Sequence, residues 1–479
     1  MLFEFNSPDR NGESTVQTTM IARRARSRWM AAFAAFGVGL TLTGCDFDVI
    51  NPGPVEDRFL DSSDAHDAVV AGIARMFADG LDNVAMTGGA VVRETFPAGS
   101  TGSFGISSFQ QQGIIFYDDT HVEWTEQQRA RWMAEDAVRR FSESEDVADV
   151  NSYGPAAEAA LWAGYANRLL GENYCEAIID GGDAQPRSAF LERAEEWFTR
   201  AAQIGAASGK STVVNAANAG RASVRVDLGN WAGAVADAAS VPAGFVFQAS
   251  YNALDSEQFN RMFWAGAGQP YRSFSVWNTQ WEDYYSETGD PRVAWKWFSI
   301  NDESQEFDGT EPPADLSLAG VGDAGVSIVR PVLPDEKVPH FIQKKYPREA
   351  SNINLSSKWE MNLIVAENHL RNGDFASAVQ LMNTRRADLG LDPLAPATLN
   401  EAWTLFKRER GAELWLEGRR MFDLTRWAAD GTPGDLHPKE ILGGSESFLK
   451  VASRAGEANR CYPIPRGERE SNPNLSLTP

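Results

Sequence analysis

Trp359-Glu-Met-Asn-Leu363-Ile-Val-Ala366-Glu-Asn-His-Leu370-Arg-Asn-Gly373-Asp-Phe375-Ala-Ser-Ala378 decides how this chain folds. Trp359, Leu363, Ala366 and Leu370 recur at steps of four, three and four, which puts them on one face of a helix. Gly373 marks where that helix stops, because glycine enters the left-handed C-cap conformation without steric cost. Phe375 opens a second helix, and Ala378, three residues on, is small enough to let the two helices approach closely. The stretch spells helix, tight turn, helix.

The same pattern recurs at Gly171-Glu-Asn-Tyr174-Cys-Glu-Ala177 and at Gly229-Asn-Trp231-Ala-Gly-Ala234, each behind an alanine-rich stretch, 156–170 and 214–228. It resembles the tetratricopeptide hairpin. The repeats are unevenly spaced, so a plain solenoid is excluded. Residues 124–141 form a further helix candidate, and 401–427 a stronger one, read as continuous up to Gly431 and Pro433. The expected fold class is all-α: a tetratricopeptide-like helical-hairpin scaffold with large irregular loop insertions.

Residues 245–356 interrupt the array. They carry Trp264, Tyr271, Trp277, Trp281, Tyr284, Tyr285, Trp295 and Trp297, and their later half is turn-rich and acidic. Long irregular segments inside a compact protein are usually functional or disordered, and this aromatic density argues for order. A second irregular, glycine-rich segment runs from 82 to 119. Exposed rings stack on sugar faces while polar neighbours take the hydroxyls. The competing reading makes these rings the core of the loops, since Trp and Tyr bury heavily wherever they occur. Core is favoured for any single ring, with one or two left to meet ligand. By position, Trp264, Tyr271, Trp277 and Trp281, with Arg93 and Phe96 from the first loop region, are the candidate ligand contacts.

Ahead of all this stands a leader. Arg23, Arg24, Arg26 and Arg28 precede a short apolar run that ends at Leu42-Thr43-Gly44-Cys45. The run is shorter than the roughly 20 apolar residues of a spanning helix and has secretory dimensions. Cys45 directly after Leu-Thr-Gly resembles the bacterial lipobox, whose cysteine is acylated once the leader is cut away. Residues 1–19 read unlike the leader, and Met20 opens one of ordinary length. The domain reading is therefore 1–44 extension and signal, 45–244 helical repeats, 245–356 irregular aromatic insertion, and 357–479 helical repeat and tail.

The full chain carries a formal charge of −22. An acidic body repels phosphate backbones, which excludes nucleic acid as partner and suits neutral or cationic ligands. With Cys45 given to lipid, Cys175 and Cys461 remain, and export permits a disulfide between them. The sequence leaves that bridge and a pair of buried thiols equally open.

Chemistry is harder to find. Gly320-Val-Gly322-Asp-Ala-Gly325 matches a dinucleotide fingerprint as a string, yet no strand precedes it and a proline-broken segment follows it, so the reading fails. The five histidines are scattered and support no metal site, and no cofactor is implied. No serine or cysteine sits in a nucleophile's setting, so catalysis is unsupported. The charged stretch 406–427 balances its own charges, with Glu417–Arg420 and Asp423–Arg426 at i,i+3 spacing. It reads as a partly buried network locking the last helix in preference to an anion site.

Several segments together resemble the SusD/RagB family of outer-membrane nutrient-binding lipoproteins. They are the Cys45 lipobox, the Asp290-Pro-Arg-Val293 turn, and the hairpin from Trp359 to Leu391 with Ala366-Glu367, Asn383-Thr-Arg385-Arg386 and Gly390-Leu391. To these are added Glu409-Arg-Gly-Ala-Glu413-Leu-Trp-Leu-Glu417 continuing to Trp427, and the ending Tyr462-Pro463-Ile-Pro465 with Asn472-Pro473-Asn474-Leu475. The resemblance implies a non-enzymatic, surface-exposed protein anchored in the outer membrane. Such a protein captures an oligosaccharide or peptide and acts as a lid on a SusC-like TonB-dependent transporter. A helical-repeat lipoprotein that scaffolds envelope assembly is the alternative, and a surface glycan hydrolase a more distant one.

Overall fold

Alanine and glycine let the scaffold helices lie close together. The computed structural model describes residues 57–99, 106–107, 109–110, 114–323, 333, 337–440 and 461–477; the leader and Cys45 lie outside the described residues. The first helices are α1 (Ser63–Val91), α2 (His121–Glu143), α3 (Gly154–Asn173), α4 (Ser188–Ala207), α5 (Ser211–Asp227) and α6 (Trp231–Ser240). Phe198 of α4 wedges between Gly164 of α3 and Gly220 of α5, where an added Cβ would lie 2.6 and 2.3 Å from its ring. A methyl at either position would force the helices apart.

Two of the three anticipated hairpins form. Gly229 (φ +75°) closes α5 onto α6, and Gly373 (φ +79°) closes α8 (Lys358–Arg371) onto α9 (Phe375–Asp388). Ala234 and Ala378 are fully buried where the paired helices touch. The hairpin read at Gly171 does not exist. Gly171 lies inside α3, with Leu191 of α4 packed where its Cβ would be. Tyr174 leaves the helix and the chain enters a small ribbon, β2 (Glu176–Ala177) with β3 (Gln185–Pro186). Here glycine serves close helix contact, not a turn.

The continuous helix read over 401–427 is two helices, α10 (Leu399–Glu413) and α11 (Arg420–Asp430). Between them Leu416 (φ +60°) and Gly418 (φ +73°) turn left-handed. The break plugs into the end of α1: the Trp415 indole N–H donates to the Glu94 carbonyl at 3.0 Å, and the Leu416 N–H to the Glu94 carboxyl at 3.1 Å. Tertiary hydrogen bonds outweigh the local helical preference of this segment.

The insertion leaves and rejoins the scaffold at one place. β4 (Val246–Ala249) pairs antiparallel with β9 (Ile353–Ser357) across a bulge. Tyr165 of α3 stacks on Phe247 and donates to Ser356, fastening that ribbon to the scaffold. Within the insertion, β6 (Trp295–Ser299) is the centre of a three-stranded sheet between β7 (Asp302–Asp308) and β8 (Ile342–Gln343). β1 (Phe96–Pro97) pairs with β5 (Phe274–Ser275), which joins the first loop region to the second. The described residues form one unit.

Cys175 and Cys461 are joined by a disulfide spanning 286 residues. Beside it Tyr462 donates to the Asn173 carbonyl and accepts from Cys175, so the tail closes onto the end of α3. Among the described residues no helix is long and apolar enough to cross a membrane.

Candidate ligand-binding cleft

Buried ion pairs clamp the insertion to the scaffold. Asp290, before Pro291, caps the short turn by accepting from the Arg292 N–H, and its carboxylate takes the Arg292 guanidinium at 2.6 Å. Arg292 then reaches Glu409 and Glu413 of α10 at 2.6 and 3.3 Å. Arg386 of α9 pairs with Glu409 and donates to the Tyr284 hydroxyl, while Arg385 pairs with Glu413. The motif segments around residues 290, 385 and 409 thus meet in one network. Desolvation penalises such charges, so the network stands only because nearly every group is paired.

The 406–427 stretch is the structural lock that its charge balance implies, with one change of partners. Asp423 pairs with Arg426 and Arg410, and Arg426 reaches Glu367 of α8 at 2.6 Å. The pairing read between Glu417 and Arg420 is absent: Glu417 takes Lys345 from the insertion, and Arg420 takes Glu440. The chain break at 414–419 separates residues that an unbroken helix would have brought together. Burial alone would raise the Asp423 carboxyl, but Arg410 and Arg426 beside it hold it down at about 2.

Glycines bring three irregular segments together. A Cβ on Gly99 would meet the Tyr271 carbonyl at 2.5 Å, one on Gly322 the Ala98 carbonyl at 1.8 Å, and one on Gly320 the Phe298 ring at 1.9 Å. The Gly320–Gly322 pair that resembles part of a nucleotide fingerprint is therefore a point of close backbone packing.

Next to this junction opens a cleft of about 390 Å³ lined by Phe263, Arg272, Lys296, Phe298, Glu303 and Glu306, among others. Strand alternation produces one wall. Trp295 and Trp297 of β6 stack on Phe341 and Phe307, which leaves Lys296 and Phe298 to the opposite face. Arg272, held left-handed at φ +40°, lays its guanidinium 4.5 Å from the Phe298 ring centre. It also donates to Glu303 at 2.8 Å, and the Gln269 amide donates to the same carboxylate. Lys296 donates to both Glu306 oxygens at 2.8 Å. The hydrogen bond from Arg272 holds the exposed Glu303 carboxyl below its usual range. Lys344, also in the lining, pairs with Asp308 at 2.8 Å, so each cation of the cleft has a carboxylate partner, and the cleft offers the Phe263 ring beside fixed donors and acceptors. Buried His340, pushed down to about 4 by desolvation, stays neutral and contacts the Gly266 carbonyl. Among the described residues no group of three or more potential ligands is placed to hold a metal ion.

The six anticipated contacts divide. Trp264 and Tyr271 are half-buried, ring against ring at 5.4 Å, and flank the cleft residues Phe263 and Arg272 in sequence. Trp281 is fully buried between Tyr284 and Trp415. Trp277 is 8% exposed and meets fully buried Phe96 edge-on at 5.1 Å. Arg93 is buried at φ +62°, donating to the Ala90 carbonyl at 2.6 Å with its guanidinium over Phe96. Trp277, Trp281, Phe96 and Arg93 are buried in the core. They pack the seam between the loop regions because large rings there have no regular layer to hold them together. Phe263, Phe298, Arg272 and Glu303 went unread. The one signal in sequence is the acidic β7 run facing the lone Lys296 of an otherwise aromatic strand.

Residues 337–479 match the model of the SusD family. The fold is shared with solved structures at low identity. A SusD-like protein from Bacteroides fragilis aligns over 88% of this chain and 98% of its own, with TM-score 0.60 and 12% identity. Surface glycan-binding protein A from Bacteroides uniformis aligns over 86% and 99%, with TM-score 0.56 and 14% identity. A laminarin-binding SusD-like protein aligns over 86% and 99%, with TM-score 0.53 and 16% identity. No curated protein matches the chain.

Proposed function

We propose that this chain, which belongs to the SusD/RagB family by its C-terminal region and its fold, captures a neutral glycan in the insertion cleft without cleaving it. The observation that carries the reading is the cleft itself: the half-buried Phe263 ring beside the paired Arg272–Glu303 and Lys296–Glu306 groups, with Phe298 buried beneath Arg272. Apolar ring faces meet the C–H face of a sugar, while paired charges offer donors and acceptors already oriented for hydroxyls. Charge balance disfavours a strongly ionic ligand. Two relatives of the same fold, named for glycan and laminarin binding, support the ligand class.

In the cell the reading is a lipoprotein tethered through acylated Cys45 on the outer-membrane surface. It captures glycan and, as a lid, passes it to a SusC-like TonB-dependent barrel. Rigid scaffold and clamped insertion suit that work: the body moves as one piece while the ligand groups keep their geometry.

Affinity electrophoresis of the mature chain through gels containing soluble neutral polysaccharides tests capture. Retardation by at least one, without release of reducing ends, is the expected result. Free migration through all of them, or release of reducing sugar, overturns it. Labelled palmitate on residue 45 and co-purification of a large barrel test the tether and the partner separately.

A further inference from the structure

A second groove of about 340 Å³ lies on the scaffold, between α2, the turn after β2 and the short tail helix α12 (Arg466–Ser471). Its wall is Trp132, 53% exposed, the one tryptophan among the described residues that stands in solvent. Its floor includes Trp124 and Ile178, both buried. Trp132 stands half in solvent on a helix whose other large rings, Trp124 and Phe141, are buried.

The polar rim is built, not incidental. Arg131, 3% exposed, donates to Asp180 at 2.7 Å, to Glu135 at 3.0 Å and to Gln128 at 2.8 Å. Asp180 and Gly181 are consecutive left-handed residues (φ +51° and +72°), a turn that brings the Asp180 carboxylate back over the groove. The tail holds this turn: Asn472 donates to the Gly182 carbonyl and Asn474 to the Gly181 carbonyl. Glu468 of α12 accepts from the Trp124 indole at 3.1 Å. Arg131 takes Oδ1 of Asp180, which lines the groove and stays 58% exposed. Arg129 and Arg131 balance Asp180 and Glu468, so the groove has no net charge to select an ion.

We infer that this groove is a second carbohydrate site, in which the Trp132 face stacks on one neutral pyranose ring while Asp180 accepts from its hydroxyls. It rests on the reading that the chain binds glycan, but it shares no residue with the insertion cleft.

The test uses the full mature chain labelled with fluorotryptophan, the Trp132 signal being assigned by its loss in Trp132→Phe. Laminarihexaose, maltohexaose and xylohexaose are titrated in turn, with calorimetry in parallel. The Trp132 signal is expected to move saturably with at least one of them, and to do so equally in a Phe263→Ala variant of the insertion cleft. Asp180→Asn should weaken that saturation about tenfold, as the loss of one well-placed acceptor would. A Trp132 signal that no sugar moves, while calorimetry still detects binding abolished by Phe263→Ala, overturns the second site and leaves capture at the cleft standing. A Trp132 response that vanishes in Phe263→Ala overturns its independence. No heat and no shift with any sugar overturns both readings.

Discussion

Two regions of this molecule are built from the same chemistry, arginine against carboxylate, and put it to opposite use. In the lock formed by α8, α10 and α11, Arg426, Arg410, Asp423 and Glu367 are all nearly excluded from solvent. In the insertion cleft, Arg272 is mostly buried but its partner Glu303 is 54% exposed, and Lys296 and Glu306 are both partly in solvent. Buried pairs cannot be separated without stranding a charge, so they enforce one arrangement of helices. Exposed pairs contribute little to stability, and those in the cleft fix the positions of Arg272 and Lys296 at its wall.

The largest effect should follow from stranding a buried charge. Glu367→Ala removes one of the two carboxylates that hold Arg426, and the partner of Arg371, and is expected to cost about 3–5 kcal/mol in denaturant unfolding, by the usual penalty for a broken buried pair. A loss below about 1 kcal/mol would place this network among surface pairs and erase the contrast.

Strong acid should weaken the lock. The Asp423 carboxyl is depressed to about 2, below its unfolded value of about 3.9, so its contribution is present above pH 4 and is lost as pH falls toward 2. Asp423→Asn should flatten the stability curve over that window. An unchanged acid limb would assign acid unfolding to other carboxylates.

Glu94 works in the other direction. Burial pushes its carboxyl up to about 8, so the folded chain keeps a proton that the unfolded chain sheds from about pH 4.5 upward. Stability should therefore decline between about pH 5 and 8. Glu94→Gln, whose amide oxygen still accepts from Leu416, should remove that decline, read from chemical unfolding at several pH values.

In the cleft, by contrast, Glu303→Gln should shift unfolding by less than about 1 kcal/mol while weakening glycan binding. A large loss of stability there would make the cleft pair structural after all.

The same contrast explains what could be read from the chain. Gly229 and Gly373 were legible because a left-handed cap is a local demand of the backbone, satisfied by one residue type. Gly171 looked identical and serves a different need, since its role depends on Leu191 from another helix. The break at 414–419 was illegible for a related reason: its cause, Glu94, lies more than 300 residues away in sequence. Charge balance revealed the lock, although not that Arg420 would choose Glu440 over Glu417. In the insertion, the general preference of rings for burial held for Trp277, Trp281, Trp295 and Trp297, which are all core. The cleft residues were hidden because Phe298 and Arg272 acquire their positions from strand alternation and a left-handed turn, neither of which composition announces.

Calorimetric titration of the Trp132→Phe chain with a neutral oligosaccharide that retards it in gels, beside the same chain carrying Phe263→Ala and Glu303→Gln, tests the central claim most directly. The account predicts affinity weakened at least about tenfold, the loss of one ring face and one oriented carboxylate, with the variant still unfolding in one cooperative transition. Undiminished affinity in that variant would contradict it, because the sugar would then be held somewhere other than the cleft.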